Sequence, residues 1–238
     1  MLVYAHRGAS GEEPENTLRA FRRALDVGSD GIELDVRTSA DGIPVVIHDR
    51  DISRTTDGMG MVDEMSLDQL RTLDAGSGER VPTLEDVLDL VGDRAALYIE
   101  IKGVGCEGAV LDVLRAHPAV RATVASFDDE ILRTVRTCDR DVEIWVIAIG
   151  AADETMALAA EVGATTLSLQ HLGITADTVR DVEAAGHRVA AWTVNDIPEA
   201  ARLADLGVTA ICTDHPARLI PALRAVPGPR ATSGGHRP

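Results

Sequence analysis

The chain has 238 residues, 45% of them hydrophobic and 26% charged. That composition fits one globular domain and excludes a disordered chain, a collagen-like chain or a disulfide scaffold. The formal net charge of −16 excludes nucleic acid and anionic membranes as partners through the overall field; an anionic ligand must be held by a local group of cations or by a metal.

The longest nearly unbroken apolar run, Ile144 to Ala152, falls far short of the ~20 residues that span a bilayer. The opening MLVYAHRG has no basic leader and no apolar core, so no signal peptide is expected. Cys106, Cys138 and Cys212 follow neither a zinc spacing nor a disulfide framework. They are read as buried or inert thiols in a reducing cytoplasmic setting.

In chain order, short β-rich runs alternate with amphipathic ones. Strands are expected at Leu2–Ala5, Gly31–Val36, Leu97–Ile101, Ala122–Ala125, Glu143–Ile147, Thr165–Leu169, Arg188–Trp192 and Ala210–Thr213, with an added strand at Pro44–Ile47. Helices are expected at Asn16–Val27, Leu84–Val91, Gly108–Arg115, Asp129–Thr137, Asp153–Val162, Ala176–Ala185, Ile197–Leu206 and Ala217–Leu223. Thr83 with Asp86 resembles a capping box, and Gly163, Gly186 and Gly207 sit where helices close.

The strand starts are spaced by 21 to 29 residues, except for one interval of 66. Eight βα units at that pitch imply an α/β fold, a (β/α)8 TIM barrel. The long interval implies a small subdomain inserted after the second strand, about residues 50–81, with a short helix at Leu67–Leu73. The barrel would occupy residues 1–225, and 226–238 reads as a disordered tail.

Active sites in this fold lie at the carboxyl ends of the strands. The first strand ends in His6-Arg7-Gly8, the second carries Glu33 and Asp35, the third Glu100 and Lys102, the seventh Trp192. Residues i and i+2 of a strand share a face. The apolar Ile32, Leu34, Ile99 and Ile101 therefore face the helices, and the charged residues face the barrel interior.

Three inward carboxylates repel one another unless protonated or bridged by a cation, and oxygen-only ligands favour Mg²⁺ or Ca²⁺. Three carboxylates, one divalent ion, Arg7 and Lys102 sum to one positive charge, suited to an anion such as a phosphodiester. The bland alternative is a buried salt-bridge layer in which Arg7 and Lys102 neutralise the carboxylates. That layer has no use for His6 and His48, whose ordinary pKa suits acid–base work. Of 23 basic residues only Lys102 is lysine; either a coding bias has replaced lysine by arginine and left one survivor by chance, or this position needs a compact ammonium rather than a planar fork. His171 and His215 lie near strand ends and stay open; His117, His187 and His236 read as surface.

The ordered set HRG at 6–8, PENT at 14–17, ELD at 33–35, DG at 41–42, HD at 48–49, RTTDG at 54–58, PTL at 82–84, EIK at 100–102, SF at 126–127, WTVND at 192–196 and TD at 213–214 resembles the glycerophosphodiester phosphodiesterase family. The resemblance implies metal-dependent hydrolysis of a small glycerophosphodiester to sn-glycerol 3-phosphate and an alcohol, through a cyclic phosphate later opened by water. It implies Glu33, Asp35 and Glu100 as ligands of one divalent cation, His6 and His48 as catalytic residues, and Arg7 and Lys102 as phosphate contacts. Trp192 would form a wall for the glycerol part. Glu15 is expected to orient His6 or Arg7, and Asn16 to cap the first helix. Phe127 is read either as pocket lining or as core packing.

Three rival readings stay open at this point. A lysophospholipase D would use Met59, Met61 and Met65 to receive an acyl chain. A non-catalytic phosphate- or polyol-binding barrel would share the fold. A metal-dependent aldolase or isomerase would need an enolate or Schiff-base device that Lys102, protonated beside three carboxylates, supplies poorly. No stable membrane association is expected, and the chain is read as a monomer or small homo-oligomer.

Overall fold

The computed structural model of the protein describes residues 1–225; the tail expected over 226–238 lies outside them. Eight parallel strands close a barrel: β1 (Leu2–Ala5), β2 (Gly31–Thr38), β4 (Ala96–Ile101), β5 (Ala122–Ser126), β6 (Glu143–Ala148), β7 (Thr166–Gln170), β8 (Arg188–Trp192) and β9 (Ala210–Thr213). The β1–β2 and β1–β9 pairings complete the ring. The short β3 (Pro44–Val46) runs antiparallel along the carboxyl end of β2, pairing Val46 with Val36.

The helices α1 (Leu18–Asp26), α3 (Leu84–Val91), α4 (Glu107–Ala116), α5 (Asp129–Cys138), α6 (Asp153–Val162), α7 (Ala176–Ala184), α8 (Ile197–Asp205) and α9 (Pro216–Ala225) surround the barrel. The period-2 argument holds. Ile32, Leu34, Ile99 and Ile101 join the main apolar cluster between strands and helices, with Phe21, Val87 and Leu111. The lumen is filled separately by Tyr4, Tyr98, Trp145 and their small neighbours. Tyr4 and Tyr98 each meet Trp145, with ring centroids 5.5 and 5.0 Å away. A side chain at Gly31 would come within 2.2 Å of the Tyr4 ring, so the first residue of β2 is kept bare.

Between β3 and α3 the insertion folds over one side of the barrel mouth. It has two 3₁₀ turns, Ile52–Arg54 and Val62–Glu64, and the short α2 (Leu67–Leu70). α2 is a turn shorter than expected, opened by a Ser66–Gln69 capping box. A small apolar cluster of Val45, Ile47, Ile52, Val62, Leu70 and Val81 packs the insertion, with Met65 against it. Met59 is instead 88% exposed.

Two local expectations hold and two are refined. The Thr83–Asp86 capping box forms, and Gly163, Gly186 and Gly207 all have positive φ at helix ends. Cys138 is exposed, whereas Cys106 and Cys212 are buried. The cap of α1 is Thr17 rather than Asn16: the Thr17 hydroxyl accepts from the Ala20 N–H at 3.2 Å, and Asn16, at φ +57°, spends its side chain elsewhere. Thr17→Ala is expected to cost about 1–2 kcal/mol, a fall in Tm of about 2–4 °C per kcal/mol, read by thermal unfolding. An unchanged Tm would remove Thr17 from the cap.

Candidate active site

The carboxylates stand where strand register puts them. Asp35 on β2 pairs with Glu100 on β4, and Glu33 with Tyr98 one layer below. One oxygen from each of Glu33, Asp35 and Glu100 lies within 4.8 Å of the others. Glu33 and Asp35 are 3% and 1% exposed.

The surrounding cations neutralise this cluster unevenly. Lys102 Nζ is 2.7 Å from Glu100 and 3.5 Å from Asp35, and Arg7 Nε is 3.2 Å from Asp35. Glu33 receives only the Arg7 backbone N–H at 2.9 Å, with His6 Nε2 3.9 Å away. Burial, then the Asp35 charge, holds both Glu33 and Glu100 above the usual carboxylate range. The salt-bridge layer is thus real for Asp35 and Glu100 but leaves Glu33 without a permanent cation. That deficit, in an all-oxygen donor set, fits a hard divalent ion.

The loop after β1 is shaped to face this cluster. Arg7 adopts φ +55°, which turns its N–H onto Glu33 and its side chain toward Asp35. Gly8 follows at φ +80°, where a Cβ would collide with Ala20 at 2.7 Å; close packing on α1 therefore explains the glycine of HRG. Asn16 Nδ2 donates to Asp35 at 2.9 Å, and Glu15 accepts from Arg7 Nη1 at 2.9 Å. Of the two partners expected for Glu15, the geometry selects Arg7.

Each of the two histidines is backed by an aspartate. His6 Nδ1 lies 2.6 Å from Asp214, just past β9. Asp214 is itself fixed by Asn195 Nδ2 at 2.6 Å and Ser10 at 3.1 Å. His48 Nδ1 lies 2.5 Å from Asp49, and its carbonyl accepts from Arg37 Nε at 2.7 Å. Burial lowers the His6 pKa, but the Asp214 hydrogen bond and the Glu33 charge outweigh it, and the net shift is upward. Burial dominates at His48, whose pKa falls. The hydrogen bond from Arg54 holds Asp49 down at about 2.

His6, Arg7, Glu33, His48, Glu100 and Lys102 border one cavity of about 260 Å³, together with Phe127 and Trp192. Trp192 is oriented by an Nε1–H bond to the Ser168 carbonyl at 2.9 Å. Phe127 sits just beyond β5, 48% exposed, edge-on to Trp192 at 5.4 Å and 6.0 Å from Lys102 Nζ. Its pocket-lining alternative therefore holds, and its core-packing one does not. Met59, Met61 and Met65 are not among the lining residues. His171 pairs with Glu199 at 2.9 Å, and the His215 ring packs against Gly11; neither lines the cavity. A larger cavity, about 550 Å³, opens at the opposite mouth beside Tyr4, Arg121 and Arg188 and holds none of these groups.

Asp214, Asn195, Asp49, Arg54 and Arg37 are contacts that the sequence reading missed. Four of them stand inside quoted motifs (TD, WTVND, HD and RTTDG). Their letters were visible, but their pairing across as many as 208 residues was not.

Fold and cavity together define a (β/α)8 barrel with three clustered, buried carboxylates, two carboxylate-backed histidines and two cations at one small cavity. The chain belongs to the glycerophosphoryl diester phosphodiesterase family, whose sequence profile matches residues 6–218. It is 36% identical over 237 residues to the glycerophosphodiester phosphodiesterase of Caldanaerobacter subterraneus, covering 94% of this chain and 98% of that one. It is 31% identical to that of Bacillus subtilis, covering 91% and 84%. A phosphodiesterase of Oleispira antarctica, solved in complex with the product sn-glycerol-3-phosphate, superposes with a TM-score of 0.91 at 30% identity over 94% of this chain and 97% of that one.

The raised carboxylates give a measurable linkage. A proton held on the Glu33–Glu100 pair must leave before an ion binds, so affinity falls as pH falls through their elevated pKa values. Calorimetric titration with Mg²⁺ or Ca²⁺ is expected to show affinity rising up to about tenfold per pH unit for each proton displaced, with protons released to the buffer. Affinity indifferent to pH would remove these carboxylates from the metal seat.

Proposed function

We propose that this chain hydrolyses small, soluble glycerophosphodiesters to sn-glycerol 3-phosphate and an alcohol, with His6 and His48 as the proton-transfer pair. The observation that carries the reading is that both histidines border one cavity with Nδ1 of each engaged by an aspartate. An ionised aspartate fixes the proton on Nδ1, which leaves each Nε2 free to take or give a proton.

In this reading Lys102 and the Arg7 guanidinium bind the non-bridging phosphate oxygens and meet the charge that develops in the transition state. Trp192 and Phe127 flank the glycerol carbons, with the Ser168 bond holding the indole in place. One histidine removes the proton of the attacking glycerol hydroxyl and the other protonates the departing alcohol. The roles reverse when water opens the cyclic phosphate. A Mg²⁺ or Ca²⁺ ion on Glu33, Asp35 and Glu100 would supply Lewis-acid polarisation of the phosphate. Asn16 and Glu15 hold Asp35 and Arg7 in register for it.

Among the described residues no helix is long and apolar enough to cross a membrane. Three unpaired cysteines support a reducing cytoplasm as the setting. The missing methionine wall disfavours an acyl-chain substrate.

The test is release of glycerol 3-phosphate from glycerophosphocholine and glycerophosphoethanolamine after chelation, with Mg²⁺ or Ca²⁺ restored. Release that stops on chelation and returns with one ion supports the reading and identifies the ion; no release with either overturns it. His6→Ala and His48→Ala are each expected to lower kcat by more than ~10²-fold with folding intact. Near-wild-type turnover in either variant removes that histidine from the mechanism.

A further inference from the structure

The RTTDG motif at residues 54–58 takes no part in the chemistry above, and most of it builds the insertion. Thr56 Oγ1 donates to the Ile52 carbonyl at 2.8 Å and accepts from the Gly58 N–H at 3.2 Å. Asp57 accepts from the Asp74 N–H at 2.9 Å. Gly58 leaves room for Leu73, which a Cβ would approach to 2.6 Å.

Arg54 does something else. It closes the first 3₁₀ turn, its side chain is 47% exposed, and its guanidinium spans two carboxylates on separate segments. Nη1 and Nη2 donate to the two oxygens of Glu15 at 2.9 and 2.8 Å, and Nε donates to Asp49. Glu15 also holds Arg7, and Asp49 holds His48. A single chain of ion pairs, ending in a hydrogen bond to the histidine, thus runs Asp35–Arg7–Glu15–Arg54–Asp49–His48.

We infer that Arg54 is a positioning residue, a fork reaching from the insertion that fixes His48 through Asp49 and Arg7 through Glu15 in one mutual arrangement. The inference rests on the functional reading of His48 and Arg7 given above. An isolated ion pair at this exposure adds little stability. A two-pronged Arg–carboxylate contact, however, fixes geometry as well as distance, and a displacement of about 1 Å at a reacting group costs up to ~10²-fold in rate. The Arg54 contribution therefore falls on turnover rather than on folding. A lysine cannot replace it, because one ammonium does not present the planar fork that meets two carboxylates at once.

The experiment compares wild type, Arg54→Gln, Arg54→Lys, Arg54→Ala and Asp49→Asn on glycerophosphocholine with the restored ion. All four substitutions are expected to lower kcat by roughly 10- to 100-fold. KM should change far less, with Tm within about 2 °C of wild type and unchanged affinity for the metal alone. Millimolar guanidinium should restore Arg54→Ala saturably, since the position is open to solvent, and should not restore Asp49→Asn. Wild-type turnover in Arg54→Lys, or a loss in Tm with kcat retained, overturns the inference.

A readout independent of turnover is the Nδ1–H resonance of His48 in ¹⁵N-histidine spectra. It should be sharp in the wild type and broadened in Arg54→Ala; persistence in Arg54→Ala overturns the inference. Should wild type release no glycerol 3-phosphate, the functional reading fails while the resonance still decides what Arg54 does.

Discussion

Three carboxylates packed into the mouth of a parallel barrel are the constraint around which the rest of this site is organised. The register of β2 against β4 sets Asp35 beside Glu100, and the inward turn of alternate residues adds Glu33 to the same lumen. Burying one carboxylate is costly and burying three side by side is more so. The neighbouring polar groups answer that cost: the Lys102 ammonium, the Arg7 guanidinium, the Arg7 backbone N–H and the Asn16 amide. Arg7 and Asn16 both have positive φ, a strained conformation that goes with the aim of this N–H and this amide at the cluster. These groups serve Asp35 and Glu100 better than Glu33, whose carboxyl is kept above the usual range by burial and the Asp35 charge, so the cluster is not a finished salt-bridge layer.

The same accounting separates the two histidines. Both spend Nδ1 on an aspartate, yet their pKa values move in opposite directions. His6 sits in the barrel wall, where Asp214 and Glu33 both favour its protonated form. His48 enters from the insertion, where burial outweighs its aspartate and the nearby Arg7 and Lys102 add to the downward push. Acid–base catalysis by a pair needs one group protonated while the other is not, and environment can create that difference between chemically identical side chains.

The sequence made the barrel legible because its period is strong. Eight short apolar runs at a nearly constant pitch fit few folds besides a closed parallel barrel, and the i, i+2 pairs Glu33/Asp35 and Glu100/Lys102 followed from strand alternation alone. The cap of α1 was harder, because Asn16 and Thr17 are both good capping residues and only the tertiary pull of Asp35 on Asn16 decides between them. Phe127 was ambiguous for a similar reason: a strand end and a cavity wall lie one residue apart. The carboxylates behind the histidines were the least legible. Asp49 adjoins His48 in sequence, but Asp214 reaches His6 only when β9 closes against β1, a contact no local pattern encodes.

The insertion shows why such contacts matter beyond geometry. It has its own apolar cluster, distinct from the clusters between strands and helices and within the lumen. The site is therefore assembled along the seam where the insertion meets the barrel sheet, with His48 just past β3 and the carboxylates, His6 and Arg7 on or just beyond the barrel strands. Apolar packing is non-directional and fixes such a seam only loosely, whereas charged hydrogen bonds with defined angles fix it tightly. A chain that carries 22 arginines and one lysine has the side chain best suited to such contacts at Arg7, Arg37 and Arg54, and keeps its single ammonium at Lys102, where it must reach both Glu100 and Asp35. The distribution of the two basic residues follows their geometry: planar forks where separate segments are joined, a compact point charge between the Glu100 and Asp35 carboxylates.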